Sequence, residues 1–307
     1  MSRRGEFEII ARYFAPLAKS PGAFGLTDDA AVIAPPRGHE LVVTTDALVA
    51  GVHFLPDDPP DTVGRKALRV NLSDLAAKGA VPMGYLLALS LPRNVRDGWL
   101  KAFARGLGRD QKTFGVSLLG GDTTATPGPL TIAITAIGSA PKGSLIRRRG
   151  ARPGDLVFVS GTIGDAGIGL AMAMRKRTAP RTLIARYRLP RPRLALGLAL
   201  RGIATSALDV SDGLVADLGH IADVSRVRIA IDAARIPTAH EPVFAATAGD
   251  DYEIAFTARD RDAVHRAARG ARTRVTEIGR VARGDGVALL DTAGRPIRLG
   301  RKGYTHF

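Results

Sequence analysis

The chain has 307 residues, a formal net charge of +15 and a sequence pI near 10.9. This length accommodates about two domains. A hydrophobic content of 45% excludes an intrinsically disordered chain. The absence of cysteine excludes disulfides, thiolate metal sites and thiol catalysis.

The amino-terminal sequence MSRRGEFEIIARYF does not have the pattern of a secretory signal peptide, because Glu6 and Glu8 interrupt any apolar segment. No apolar run approaches the ~18 residues that a membrane-spanning helix requires. We therefore expect a cytoplasmic protein that does not associate with a membrane.

A pI this high is compatible with nucleic-acid binding. The arginines are scattered, however, and 5% aromatic residues are too few for a base-stacking surface. We interpret the positive charge as an arginine-rich solvated surface that can also attract an anionic substrate, and we expect no nucleic-acid partner.

The first half of the chain alternates helical and strand patterns. Apolar residues at helical spacing, from Ile10 to Leu17, predict an amphipathic helix at the start. The next predicted elements, in chain order, are strands AAVIAPP and HELVVTTDAL, a helix over Asp61–Lys78, strand MGYLLALSLP, a helix over Arg96–Phe114, and strands GVSLLGGD and LTIAITAIGSA.

A stretch rich in glycine, proline and arginine over residues 140–154 predicts a domain boundary, giving domains 1–139 and 140–307. The second half again mixes helices and strands. Its predicted elements, in chain order, are strand DLVFVSG, a helix from Asp165, a helix over Pro192–Arg201, strand SALDV, a helix over Leu214–Val224, strands RVRIAID and EIAFTA, a helix over Asp260–Arg269, and strands RVTEIG and VALLD.

Isolated aspartates stand at the ends of predicted strands, beside small residues that let a ligand approach the backbone. In VSLLGGDTT an apolar run ends in Gly120 and Gly121, and Asp122 follows. The other acids of this kind are Asp28, Asp29, Asp46, Asp209 and Asp212.

Asp74 lies on the apolar face of the predicted helix over Asp61–Lys78, together with Ala67 and Val70. A carboxylate buried there must be paired or must coordinate a metal, and both alternatives stay open. With the hydroxyls of Thr44, Thr45 and Ser211, the aspartates offer the oxygen ligands that Mg²⁺ prefers. The sequence has no HExxH pattern, so zinc is not expected.

The common nucleotide-binding loops GxxxxGK[ST] and GxGxxG are absent. The glycine-rich segment Gly161–Gly169 either holds a phosphate at a helix N-terminus or forms an ordinary strand-to-helix turn. Arg148 is either a phosphate clamp or one more arginine of a basic linker.

Nearly the whole chain resembles the thiamine-monophosphate kinase family, within the superfamily of aminoimidazole ribonucleotide synthetase-like ATP enzymes. The matching blocks are GEFEIIARYF, TDDAAVI, TTDALVAGVHF, KALRVNLSDLAAKGA, LLGGDTT, RRGARPGD, LDVSDGLVADLGH, GDDYEIAFT and KGYTHF. The resemblance implies an α+β N-terminal domain with a mixed sheet, which binds ATP and Mg²⁺ and forms a homodimer. It also implies an α/β C-terminal domain.

The implied reaction is direct in-line transfer of the γ-phosphoryl group of ATP to thiamine phosphate, giving thiamine diphosphate, assisted by several Mg²⁺ ions. The resemblance implies that Asp122, Asp209 and Asp212 are the catalytic residues. It implies metal ligation by Asp29, Thr44, Thr45, Asp46, Asp74, Asp122, Asp209 and Asp212. It implies ATP contacts from Gly121, Asp122, Arg148 and Ser211, and thiamine phosphate contacts from His53, Glu253 and Tyr304.

Two alternatives remain at this point. One is another ATP-dependent enzyme of the same superfamily, of the ribonucleotide synthetase type. The other is a basic nucleic-acid-binding protein, which would leave the set of isolated aspartates unexplained because acids repel phosphates unless a metal bridges them.

Overall fold

A computed structural model describes residues 5–175 and 181–305. The chain divides into two compact units. The first comprises the chain up to Leu75 together with Val81–Lys142, and the second comprises Ala76–Ala80 together with the chain from Gly143. In the described residues, no helix is long and apolar enough to cross a membrane.

The first unit is built on a four-stranded mixed sheet. Its strands are His39–Val49 (β1), Val81–Pro92 (β2), Ser117–Thr126 (β3) and Thr131–Pro141 (β4). Its helices are Glu6–Ile9 (α1), Pro60–Ala77 (α2) and Asp97–Phe114 (α3). The last two residues of α2 belong to the second unit. In the sheet order β1-β4-β2-β3, β4 runs antiparallel to β1 and β2, whereas β2 and β3 are parallel. Alternate residues such as Ile132 and Ile134 of β4 are buried, as period-2 strands with one core face require.

The long helices and strands predicted for the first unit are confirmed, but its start differs from the prediction in two ways. The amphipathic segment continues from α1 as a π-helical turn over Ile10–Phe14 and a 3₁₀ turn over Ala15–Leu17. The strand predicted at AAVIAPP is wrong, since residues 30–36 have no regular structure. Pro35 and Pro36 lack the N–H groups that a strand ladder needs.

The second unit has a six-stranded sheet in the order β10-β7-β9-β5-β8-β6. Its strands are Leu156–Ser160 (β5), Ala204–Asp209 (β6), Arg228–Asp232 (β7), Ile254–Ala258 (β8), Val275–Ala282 (β9) and Gly286–Leu290 (β10). Only the β10–β7 pair is parallel among the pairs described. Every residue of β5 and β8 is buried, so these strands form the centre of the core.

The helices of the second unit alternate with its strands along the chain. They are Asp165–Met174 (α4), Arg181–Arg188 (α5), Leu194–Ala199 (α6), Leu214–Ser225 (α7), Pro242–Thr247 (α8) and Arg261–Gly270 (α9). The predicted elements of this half are confirmed, and both halves mix α and β structure as expected. Sequence reasoning missed α5 and α8. The arginines of RTLIARYR conceal the first of these, although its Tyr187 is almost fully buried.

Candidate active site

Three of the predicted acids share a cavity in the first unit. Asp28, Asp29 and Asp122 line a space of about 480 Å³ together with Gly120 and Gly121. All three acids are solvent-exposed, and in the part of the chain that the structure describes none of them makes an ion pair. The apolar part of the lining includes Ile10, Phe14, Leu26, Ile33, Leu86 and Ile137. The cavity therefore offers unpaired carboxylates beside an apolar surface.

The position just before Asp122 requires a residue without a side chain, which is Gly121. Its φ is 153°, and a Cβ there would lie 1.8 Å from the carbonyl oxygen of Leu87 on β2. Only glycine fits this close approach of two paired strands. The parallel register then sets Asp122 opposite Ala88, at the cavity.

A second group forms around Asp74. The Thr44 hydroxyl donates to Asp74 Oδ2 at 2.5 Å, which joins β1 to α2. Asp74 is half-buried, while Ala67 and Val70 of the same helix are fully buried. Asp74 makes no ion pair within residues 5–175 and 181–305. The structure therefore does not pair it with an arginine, and metal coordination stays open.

The predicted ligands of β1 divide between its two faces. Thr44 and Asp46 share one face, and Thr45 lies on the other because successive strand residues alternate. The Thr45 hydroxyl donates to the Ile134 carbonyl at 3.2 Å and accepts from Thr135 at 3.0 Å. The structure thus brings Thr44 to Asp74 but not the Thr45 side chain.

In the second unit a buried acid organises the loop that follows β6. Asp217, in the first turn of α7, accepts the backbone N–H groups of Ser211, Asp212 and Gly213 at 3.0, 3.0 and 3.1 Å. Burial and the neighbouring Asp212 charge raise the pKa of Asp217 to about 7, against the lowering effect of those hydrogen bonds. Asp209 ends β6 and is 7% exposed.

Asp212, Asp217 and His220 offer ligand atoms that all lie within 4.8 Å of one another, so this group could hold a cation. Sequence reasoning identified Asp212 but missed Asp217 and His220. Their spacing of three residues on α7, directly after the loop, was the available signal.

Glu253 is fully buried and its carboxylate is saturated. It accepts from the Ser160 hydroxyl at 2.6 Å, from Arg186 at 2.8 Å and from both Nε and Nη2 of Arg193 at 2.6 and 2.5 Å. A Cβ on Gly161 would lie 2.2 Å from Glu253 Oε1. This geometry favours a role in holding the two guanidinium groups over direct contact with a substrate.

Asp251, two residues earlier, was also missed. It accepts the backbone N–H groups of Gly164 and Ala166 at 2.7 and 3.3 Å, and burial raises its pKa to about 7. Two N–H groups at the start of α4 are thus occupied by the protein's own carboxyl group. For the segment Gly161–Gly169, this favours the ordinary strand-to-helix turn over a phosphate loop.

The remaining predicted residues lie at the surface or near it. His53 Nδ1 accepts from the Val49 N–H at 3.0 Å. Arg148 is exposed. Tyr304 is 46% exposed, and its N–H donates to the Asp212 carbonyl, so the carboxy-terminal motif lies beside the α7 loop. Residues 306–307 of that motif lie outside the described residues.

The two halves of the chain match a known class of protein. The model of the AIR synthase related protein N-terminal domain matches residues 27–140, and the model of its C-terminal domain matches residues 152–291. Hydrogenase maturation protein HypE in complex with ATP has a TM-score of 0.83 at 18% identity, which shows likeness of fold alone.

Relatives in this class define the family more narrowly. A thiamine-monophosphate kinase of Caulobacter vibrioides is 45% identical over 98% of this chain and 90% of the relative, and one of Escherichia coli K12 is 40% identical over 99% and 98%. The crystal structure of a thiamine-monophosphate kinase from Stenotrophomonas maltophilia K279a has a TM-score of 0.83 at 40% identity, covering 95% of this chain and 96% of the other. The chain belongs to the thiamine-monophosphate kinase family.

A further similar structure carries ligands. AaThiL, complexed with AMPPCP and TMP, has a TM-score of 0.79 at 31% identity, covering 93% of this chain and 97% of that one.

Proposed function

We propose that this protein transfers the γ-phosphoryl group of ATP to thiamine phosphate, by direct in-line displacement, with several Mg²⁺ ions assisting. The observation that carries the proposal is its near full-length identity of 40–45% with thiamine-monophosphate kinases. The AaThiL complex holds AMPPCP, an ATP analogue, together with TMP, a thiamine phosphate, and so supports ATP and thiamine phosphate as the two substrates.

The donor set of the cavity fits Mg²⁺. Asp28, Asp29 and Asp122 are exposed carboxylates without ion pairs among the described residues of a strongly basic chain. Magnesium binds through one or two carboxylates, waters and phosphate oxygens, as such a group allows. The proposed ligands are Asp29, Thr44, Asp46, Asp74, Asp122, Asp209 and Asp212, without Thr45, whose hydroxyl lies on the other face of β1. When bound, the ions neutralise the repulsion between two polyanions.

The reaction requires positioning more than proton transfer. The acceptor is a phosphate monoester whose second pKa is about 6, so it is already ionised at neutral pH and needs no general base. We assign the catalytic role to Asp122, Asp209 and Asp212. We assign ATP contacts to Gly121, Asp122, Arg148 and Ser211.

At the thiamine end we assign His53 and Tyr304 to direct contact. Glu253 acts through Arg186 and Arg193, which it holds in place. We also propose that residues 1–139 form the domain that binds ATP and Mg²⁺ and mediates a homodimer. Residues 140–307 form the α/β C-terminal domain. The proposed location of the protein is the cytoplasm. The exposed apolar side chains of Leu41 and Val43 on edge strand β1 support the dimer.

Replacement Asp122→Asn tests the assignment. It removes one negative charge from the cavity at constant size, and we expect kcat for thiamine diphosphate formation to fall by roughly 100-fold or more, as for loss of one preorganised electrostatic group. The matched control is Asp285→Asn, an exposed loop acid of the second unit. Wild-type turnover in the Asp122 variant, with both variants folded by circular dichroism, would remove Asp122 from the mechanism.

A further inference from the structure

One face of α3 carries a row of positive charges. Lys101, Arg105, Arg109 and Lys112 follow one another at intervals of four, four and three residues, so they share a face of the helix. Like charges at such spacing repel each other in an isolated helix. At a rise of 1.5 Å per residue, the row extends for roughly 16 Å.

This row borders a groove of about 470 Å³ whose other wall is the amino-terminal segment, with Arg12 and Lys19. The wall is fixed in place. Gln111 Nε2 donates to the Leu17 carbonyl at 3.0 Å, and the Lys19 N–H donates to Ser117 Oγ at 2.9 Å.

The positive charges around the groove are largely uncompensated. In the described part of the chain Arg109 alone of the six forms an ion pair, with Asp61 at 3.3 Å, and that Arg109 side chain is 55% exposed. Of the two acids of α3, Asp110 pairs away from the groove, whereas Asp97 bonds to Tyr13, which lines the groove. Asp110 is buried and binds Arg65 and Arg69, and Asp97 accepts the hydroxyl of Tyr13. The groove therefore attracts anions.

We propose that this groove binds a small anion that carries two or more phosphate groups. Its volume lies in the range of small-molecule sites, and the row of cations can engage several phosphates at once. The buried side chains of Tyr13, Leu17 and Ala104 form an apolar floor for an organic group. Among the residues that the structure describes, no exposed aromatic side chain lines it, so this lining lacks the stacking surface typical of sites for single-stranded nucleic acid.

The site goes beyond the proposed kinase reaction and does not depend on it. Of the described residues, none lines both the groove and the acidic cavity, although the amino-terminal segment contributes Tyr13 to one and Phe14 to the other. Polyphosphate binding at the groove also needs no metal, because its own side chains are cationic, whereas the acidic cavity repels phosphates unless a cation intervenes.

Calorimetric titration of the full chain with inorganic tripolyphosphate, in EDTA, tests the proposal. We expect measurable binding by the wild type and a loss of at least about tenfold in affinity for Lys101→Glu/Arg105→Glu. The variant Lys101→Arg/Arg105→Lys retains binding. The control Arg269→Glu/Arg283→Glu makes the same change in net charge at exposed positions of the second unit and keeps affinity within about twofold of the wild type.

Two further titrations, with ADP and with pyrophosphate, distinguish the source of the phosphates. Tighter binding of ADP than of pyrophosphate, lost in Lys101→Glu/Arg105→Glu, indicates an organic ester on the apolar floor of the groove, and equal binding of the two indicates an inorganic polyphosphate. The proposal is overturned if no probe binds, if the charge-reversed and control variants lose affinity equally, or if only a single-stranded oligonucleotide binds. A folded charge-reversed variant, checked by thermal unfolding, makes each result interpretable.

Discussion

Single buried acids hold the loops of the second unit in place. Asp217 and Asp251 each bind backbone N–H groups of a turn that precedes or begins a helix. Sequence reasoning missed Asp217 because it reads as an ordinary polar residue of the predicted helix Leu214–Val224, and it missed Asp251 because, beside Asp250, it reads as a solvated loop charge. Their burial follows from packing in the folded unit, which no local pattern reports.

The raised pKa of Asp251 predicts a pH dependence of stability. Its pKa is 3.8 in the unfolded reference and about 7 when folded, so the folded state binds the extra proton between these values. The stability contributed by the protonated form is present at low pH and is lost as pH rises towards 7. Relative to Asp251→Asn, we expect the wild type to lose unfolding free energy between about pH 4 and pH 7, and to differ by a constant amount above that range.

Urea unfolding of both proteins across this pH range measures the difference. Parallel curves, with no change in the difference between pH 4 and pH 7, would show that Asp251 does not titrate in this way.

The network around Glu253 predicts a large loss of stability. Glu253→Gln removes the counter-charge of Arg193 and leaves Arg186 with the more distant Asp165 at 4.0 Å, and these two arginine side chains are 19% and 12% exposed. We expect the free energy of unfolding to fall by about 3 kcal/mol or more, as for a broken buried ion pair. The control Glu277→Gln, whose partners Arg235 and Arg261 are more than half exposed, should cost less than about 1 kcal/mol. Equal losses in urea unfolding would contradict this account.

Among the elements, the regular ones were predictable from apolar periodicity. The strands of both sheets and the long helices α2 and α3 follow their patterns closely. The failures have physical causes. Two prolines prevent a strand at AAVIAPP, arginines conceal the helix α5, and α8 has only six residues. The Glu241 side chain caps α8 by accepting the N–H groups of Val243 and Phe244. This helix is too short to show an apolar periodicity in the sequence.

Pairing of β2 with β3 depends on one glycine. Gly121→Ala would place a methyl group against the Leu87 carbonyl at a backbone angle that side chains rarely adopt, so we expect a loss of about 2 kcal/mol or more. Gly120→Ala is the matched control, since its Cβ meets only Leu86 Cδ2 at 3.4 Å. Similar denaturation midpoints for the two variants would mean that β3 tolerates the change and that Gly121 has no special structural role.

For the whole molecule, the sequence predicted individual acids as site residues, whereas their grouping is visible only in the structure. Resemblance over nearly the entire chain predicted the family, and the relatives confirm it. It implied one set of metal ligands that includes both Asp29 and Asp122, which share a cavity, but not the hydrogen bond from Thr44 to Asp74. Such groupings depend on strand register and side-chain direction, and a change of one residue in register would reverse the faces.

The central claim is that exposed carboxylates serve a transfer between two phosphorylated substrates. Its most direct test is chromatographic detection of thiamine diphosphate after incubation of the purified protein with ATP and thiamine phosphate, with Mg²⁺ or with excess EDTA. We expect thiamine diphosphate and ADP in equal amounts with Mg²⁺, and neither product in EDTA. ATP consumption without thiamine diphosphate, or undiminished product formation in EDTA, would contradict the account.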